Sequence, residues 1–218
     1  MKIAIFSAHC DDEVLGVGGT AARHAKAGEE VHVFIAADCR AARVGHTDPP
    51  ALLPAAREAA AILGTHRLRF LGFGGMTLAA AASELALNRA VEKEMFTLRP
   101  DVVYTHHPSD PNSDHRALAG AVMVATRPIG PAPSRVLCFE TPSSTEWNWS
   151  SSFAPNYFVN ITATIDEKLA AMACYREELR AAPHPRNVDA LRARAAYWGQ
   201  VAGCHYAEPF VLMREVVR

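Results

Sequence analysis

Lys2 to Thr20 reads KIAIFSAHCDDEVLGVGGT: an apolar run, then His9, Cys10, Asp11, Asp12 and Glu13, then glycines. The apolar run is short and bounded by polar residues, the pattern of a strand buried on both faces. Helical spacing starts at Leu15 and runs to about Ala27, where Gly28 supplies a C-terminal cap. A strand turning straight into a helix is where a dinucleotide-binding fold places its phosphate loop. Here three carboxylates occupy the position where backbone N–H groups would meet a pyrophosphate, and they would repel it. The glycines come a turn late and lack the GxGxxG spacing, so they read as allowing close packing of helix on sheet. A nucleotide-binding oxidoreductase is disfavoured on the same ground, and the loop asks for a cation.

The same alternation continues along the chain. "EVHVFIAA" (30–37), "LRFLGF" (68–73), "DVVYTHH" (101–107) and "SRVLCFE" (134–140) read as strands. "PPALLPAAREAAAILG" (49–64), entered through prolines, "SELALNRAVEKEMFTLRP" (83–100) and "SDHRALAGAVMVATRP" (113–128) read as helices, the last opening on Ser113 as its capping residue. The order βαβαβαβαβ predicts an α/β domain with a mostly parallel sheet and helices on both faces. Next comes "TPSSTEWNWSSSFAPN" (141–156), a long polar loop expected to act as a lid or pocket wall. "YFVNIT", the helices "IDEKLAAMACYREELR" (165–180) and "VDALRARAAYWGQVAG" (188–203), and "HYAEPFVLM" (205–213) complete the chain. There is no repeat, linker or low-complexity tract, so residues 1–218 read as one domain.

The 218 residues suit a single core, half of them are hydrophobic, and the formal net charge is −1. With no basic excess, nucleic acid and anionic membrane surfaces drop out as partners. The N-terminal apolar run is too short for a membrane span and lacks a signal-peptide cleavage pattern, so the expected location is cytoplasmic. Five cysteines (Cys10, Cys39, Cys138, Cys174, Cys204) form no CxxC. They exclude a thiolate zinc knuckle, show no disulfide framework, and read as buried free thiols.

In such sheets ligands bind beyond the C-terminal strand ends. Two polar clusters fall there: His9 to Glu13 after the first strand, and "HHPSDPNSDHR" (106–116) after the fourth. Carboxylates near a helix start complement its dipole by about 0.3–1 kcal/mol each, which accounts for Asp12 and Glu13 without chemistry. It does not account for a histidine beside two carboxylates, nor for Asp110, Asn112, Asp114 and His115 on a second rim loop. Two such clusters can supply three ligands and leave one position open; His, His and carboxylate with one water is a catalytic zinc pattern. His9 and Asp12, at i and i+3, can aim at one ion where strand turns into helix. Asp11 between them must point elsewhere, free to act as a base.

"AHCDDE" resembles the AHPDDE signature of the LmbE/PIG-L family of zinc-dependent de-N-acetylases. "THHPSDPNSDHRALAGAVMVATRP" is similar to the second motif of one bacterial branch of that family. "REAAAILG", "RFLGF", "FETPSSTEWN", "KLAAMACYREELR", "PHPR" and "YAEPF" follow the same likeness, in order, over nearly the whole chain. The resemblance implies a Rossmann-like three-layer αβα sandwich. It also implies hydrolysis of acetamido groups, mostly on N-acetylglucosamine-type sugars. The expected partner is a small N-acetylated sugar or sugar conjugate. By motif, His9, Asp12 and His115 become zinc ligands, Asp11 the general base, and Asp114 an orienting partner for a ring nitrogen. Other divalent ions suit the same ligands. Two alternatives stay open: a zinc amidase for a mycothiol-like conjugate, and a sugar- or metal-binding protein of low turnover. Family members often assemble, which leaves a homo-oligomer open.

Two residues depart from the commoner family pattern. Cys10 stands where proline is usual, which loosens the turn and puts a thiol beside the site; a small tolerated side chain is the plainer reading. Asn112 stands where many members carry histidine. Its amide can donate to an oxyanion but cannot transfer a proton. The acid is then Asp11 returning its proton, or His106 or His107, one of which should face the pocket because strand residues alternate. Glu140 is a candidate for substrate hydroxyls or a cap, and Arg57 or Arg116 for an anionic group. Trp147 and Trp149 are candidates for stacking on a sugar ring or for packing. His184, Tyr206 and Glu208 are candidates for lining the cleft, and the 141–156 loop with the C-terminal segment for setting specificity. His24, His32, His46, His66 and His205 read as structural or surface residues.

Overall fold

The computed structural model describes residues 1–38, 52–74, 77–130 and 132–217. The elements are β1 (Lys2–Ser7), α1 (Asp12–Lys26), β2 (Glu30–Ala37), α2 (Leu52–Ile62), β3 (Arg67–Phe73), α3 (Ala81–Leu98), β4 (Val102–His106), α4 (Ser113–Ala125) and β5 (Arg135–Phe139). After a 3-10 turn at Thr145–Trp147 come β6 (Tyr157–Asn160), α5 (Ile165–Cys174), α6 (Val188–Ala202) and β7 (Ala207–Glu215). The strand order is β3-β2-β1-β4-β5-β7-β6. β1 to β5 are parallel, and β7 and β6 close one edge antiparallel. The mostly parallel α/β architecture expected from the sequence is therefore the one adopted. The chain reverses its winding between β1 and β4, and the crevice at their C-terminal ends is where such a sheet binds ligands.

β1 shows why this sequence makes a central strand. Ile3 and Ile5 join the core formed with α1, α2, α5 and α6. Ala4 and Phe6 join the opposite core, with α3 and α4. A one-residue slip would exchange the two sets, so the register is held from both faces. α1 then lies very close to the sheet. A Cβ on Gly16 would sit 2.2 Å from Phe139 Cδ2, and one on Gly19 2.7 Å from Ile161 Cδ1. The glycines after the charged loop thus serve close packing, as their late spacing implied. Gly16→Ala is expected to destabilise the fold by about 1–3 kcal/mol through overpacking. Chemical denaturation measures this, and an unchanged midpoint would contradict the close approach.

Three expectations need correction. α4 is capped by Asn112, whose Oδ1 accepts the Asp114 N–H at 2.9 Å, because Ser113 is already helical. The helix expected to run to Arg180 stops at Cys174. Tyr175 leaves the helical conformation, and its buried hydroxyl donates to Glu13, so a tertiary contact overrides the helical pattern. Cys10 is disulfide-bonded, while Cys138, Cys174 and Cys204 are free thiols; sequence spacing does not reveal which sulfurs a fold brings within bonding distance. Cys39, His46 and the Pro49–Pro50 helix entrance lie outside the described residues. Among the described residues no helix is long and apolar enough to cross a membrane.

Candidate active site

The loop leaving β1 turns sharply. Asp11 holds φ 100°, a region L-residues rarely adopt, at a cost of about 1–3 kcal/mol. Its carbonyl accepts the N–H groups of Val14 and Leu15 at 3.0 and 2.9 Å, which starts α1. This turn brings His9 back over Asp12, with His9 Nδ1 3.3 Å from Asp12 Oδ2. From the N-terminal turn of α4, His115 Nε2 reaches the same oxygen at 3.4 Å. One ligand atom from each of the three residues lies within 4.8 Å of the others.

The remaining ring nitrogens are backed by carboxylates. His9 Nε2 is 3.1 Å from Asp114 Oδ2, and His115 Nδ1 is 3.0 Å from Asp110 Oδ1. Each imidazole thus has its orientation and tautomer set for its inner nitrogen to act as a ligand. Asp110 also accepts from the Asn112 N–H and the hydroxyls of Ser144 and Thr145, at 2.9, 2.6 and 2.6 Å. It ties the β4 loop to the β5 loop. Burial opposes its charge, but the His115 ring and these bonds lower its pKa to about 2.

The donor set fits a divalent cation. Burial alone would lower the pKa of His9, but hydrogen bonds to Asp114 and Asp12 raise it to about 9. Burial likewise opposes a charged His115, yet Asp12 and Asp110 raise it to about 10. The Asp12 carboxyl, despite burial, is held well below its usual range by His115 and His106. A pocket that draws protons onto two imidazoles is one whose excess negative charge a cation would neutralise.

Asp11 stands beside this group and is 2% exposed. Burial raises its pKa well above the usual carboxylate range, reinforced by Asp12, Glu178 and Glu13 and opposed by Arg186. Arg186 Nη1 donates to Asp11 Oδ2 at 3.0 Å and to Glu178 Oε2 at 2.8 Å. The Asp11 N–H donates to Glu13, whose other oxygen takes the Tyr175 hydroxyl. The two neighbouring histidines separate cleanly. His106 is fully buried, stacks on His115 at 4.0 Å, and accepts the Ala8 N–H at Nε2. Its Nδ1–H therefore donates to Thr141 Oγ1. His107 is half-buried, with Nδ1 against the Ser109 hydroxyl at 2.8 Å.

Residues 4–126, more than half of the chain, match the family model described as PIG-L, GlcNAc-PI de-N-acetylase. The chain belongs to the PIG-L family. It is 26% identical, over 95% of its own length and 81% of the relative's, to the diacetylchitobiose deacetylase of Thermococcus kodakarensis. The crystal structure of the conserved protein TT1542 from Thermus thermophilus superposes with a TM-score of 0.78 at 29% identity, covering 99% of this chain and 96% of that one. The fold is also that of GalB, the 4-carboxy-2-hydroxymuconate hydratase of Pseudomonas putida, at a TM-score of 0.75 and 24% identity over 100% and 98% of the two chains.

Around this PIG-L centre the other sequence candidates fall in different places. Asn112 Oδ1 is committed to the α4 cap. Arg116 donates to the carbonyls of Asp110 and Pro111 and braces the β4 loop. Glu140 is buried and takes two bonds from Arg194, at 2.7 and 2.6 Å, and one from Trp198 at 2.9 Å. His184 Nδ1 accepts the Arg186 N–H, and its ring meets the edge of Trp147 at 5.8 Å. Trp149 is 91% exposed. Tyr206 packs under the Arg192 guanidinium. Glu208 is buried against α1, where it accepts the Gly19 and Thr20 N–H groups at 2.9 and 2.7 Å and pairs with Lys168. Arg57 is exposed on α2 and makes no hydrogen bond to the cluster among the described residues. Arg186, inside "PHPR", was not singled out as a site residue; Asp110 stood among the candidates of the second rim loop, with no role assigned to it.

Proposed function

We propose that the chain is a metal-dependent hydrolase that removes the acetyl group from an N-acetylated amino sugar or sugar conjugate. The observation that carries this reading is the convergence of His9, Asp12 and His115 beside the buried, Arg186-held Asp11. Those three residues would hold a divalent ion, zinc among the candidates, whose Lewis acidity would lower the pKa of water toward about 7 and polarise an acetyl carbonyl. Asp114 and Asp110 keep the outer N–H of each imidazole engaged, so the inner nitrogens stay available. Arg186 holds one oxygen of Asp11, leaving the other to accept a proton from water as general base. Asn112 keeps its NH₂ as a donor toward the acetyl oxygen, since only its carbonyl is used by the cap.

The amine must leave with a proton. His106 is unsuited to give it: both ring nitrogens are bonded, and burial and the neighbouring His115 push its pKa well below the ordinary value. Asp11 returning its proton meets the need. His107 is the competing donor, since its Nε2 stays available while Nδ1 faces Ser109. His107→Gln is expected to keep kcat within about threefold, because a general acid contributes about 10²–10⁴-fold. A loss in that larger range would move the acid to His107.

The function itself is tested with a panel of N-acetylhexosamines, nucleotide sugars and N-acetylated thiol conjugates. Because a hydratase shares the fold, released acetate is scored rather than loss of substrate. Acetate from at least one member is the expected result; none from any would contradict the deacetylase reading and favour the amidase or binding-protein alternative.

A further inference from the structure

At the opposite rim of the sheet, a second group of ligand side chains lies outside the active site. Glu30 and His32 are i and i+2 on β2, so they share one face of the strand. His66 immediately precedes β3, whose first residue, Arg67, pairs with His32. One ligand atom from each of Glu30, His32 and His66 lies within 4.8 Å of the others. The two rings sit 5.2 Å apart at 51°.

His32 is the telling residue. It is 7% exposed, and its Nε2 is buried with no hydrogen-bond partner. Glu30 Oε2, at 3.6 Å, is too far to satisfy it. A buried donor or acceptor left unpaired is costly and calls for an explanation. Glu30 and His66 are exposed and open to an incoming ion.

We infer that Glu30, His32 and His66 form a second divalent-metal site, selective for an imidazole-binding ion such as Zn²⁺ and independent of the active site. Two histidines and a carboxylate leave a fourth position for water, the donor chemistry such ions take. Burial lowers the pKa of His32, Glu30 opposes this and His66 and Arg67 reinforce it, so the ring is held in the neutral form that ligates. An ion here would clip β2 to β3, the edge strand of the sheet among the described residues. The exposed Arg67 guanidinium works against the ion, which makes its removal a distinctive test.

The experiment is calorimetric titration of the chelator-stripped chain with Zn²⁺, comparing wild type with His66→Ala. Because His66 is exposed, the substitution leaves the core intact. A loss of about one equivalent of bound zinc in His66→Ala supports the site. The same loss in a His115→Ala background separates it from the active-site ligands. Arg67→Gln is expected to tighten the second equivalent severalfold. Equal zinc uptake and affinity in wild type and His66→Ala would overturn the inference, whatever becomes of the deacetylase reading.

Discussion

Asp11→Asn is expected to keep its bound metal and to lose about 10²–10⁴-fold in acetate release, the range of a general acid–base group. The substitution is nearly isosteric. Asparagine tolerates positive φ better than most residues, so the turn at φ 100° should survive. Its Oδ1 can still accept from Arg186, which holds the side chain in place. What is lost is the ability to take a proton from water and to return it. Metal content by elemental analysis, unfolding midpoint and kcat, measured on one preparation, separate these effects. A variant with full kcat would remove Asp11 from the chemistry. A variant that loses its metal would make Asp11 part of the ligand set instead.

His115→Ala is expected to lose both the metal and measurable acetate release while remaining folded. Removing the ring leaves Asp12 Oδ2 with His9 as its remaining ligand partner, too few donors for tight binding. Asp110 would lose one of its contacts, but the Asn112 N–H and the Ser144 and Thr145 hydroxyls continue to satisfy it. The loop between β4 and α4 should therefore hold its shape. Metal content after dialysis and a denaturation curve check the two halves of this expectation. Retention of active-site metal at wild-type affinity would mean that His115 is not a ligand.

Local pattern made part of this legible. β1 and β2 each show a short apolar run bounded by polar residues, and such periodicity survives folding because it is what the cores require. The reversed charge of the His9–Glu13 loop was equally plain, because it needs only the knowledge that a strand ends there. The residues that orient the centre were harder to see. Arg186 reaches Asp11 from 175 positions away, and no spacing rule links them. Asp110 sat inside a recognised cluster, but only the folded loop shows that it, rather than its neighbour Asp114, faces His115. Glu140 ends a strand at the rim and read as a candidate for substrate hydroxyls or a cap; that it takes bonds from Arg194 and Trp198 on α6 depends on a packing no spacing rule reveals. His32 and His66 read as structural or surface residues, since their meeting depends on the β2–β3 register.

The most direct test joins the metal to the chemistry. The chain is stripped with a chelator, and acetate release from the N-acetyl amino sugar found active in the panel is followed as Zn²⁺ or another divalent ion is returned. Release should fall to background on stripping and recover with about one equivalent in the wild type and in His66→Ala alike. Unchanged release from the fully stripped chain would contradict a metal-dependent deacetylase built on His9, Asp12 and His115.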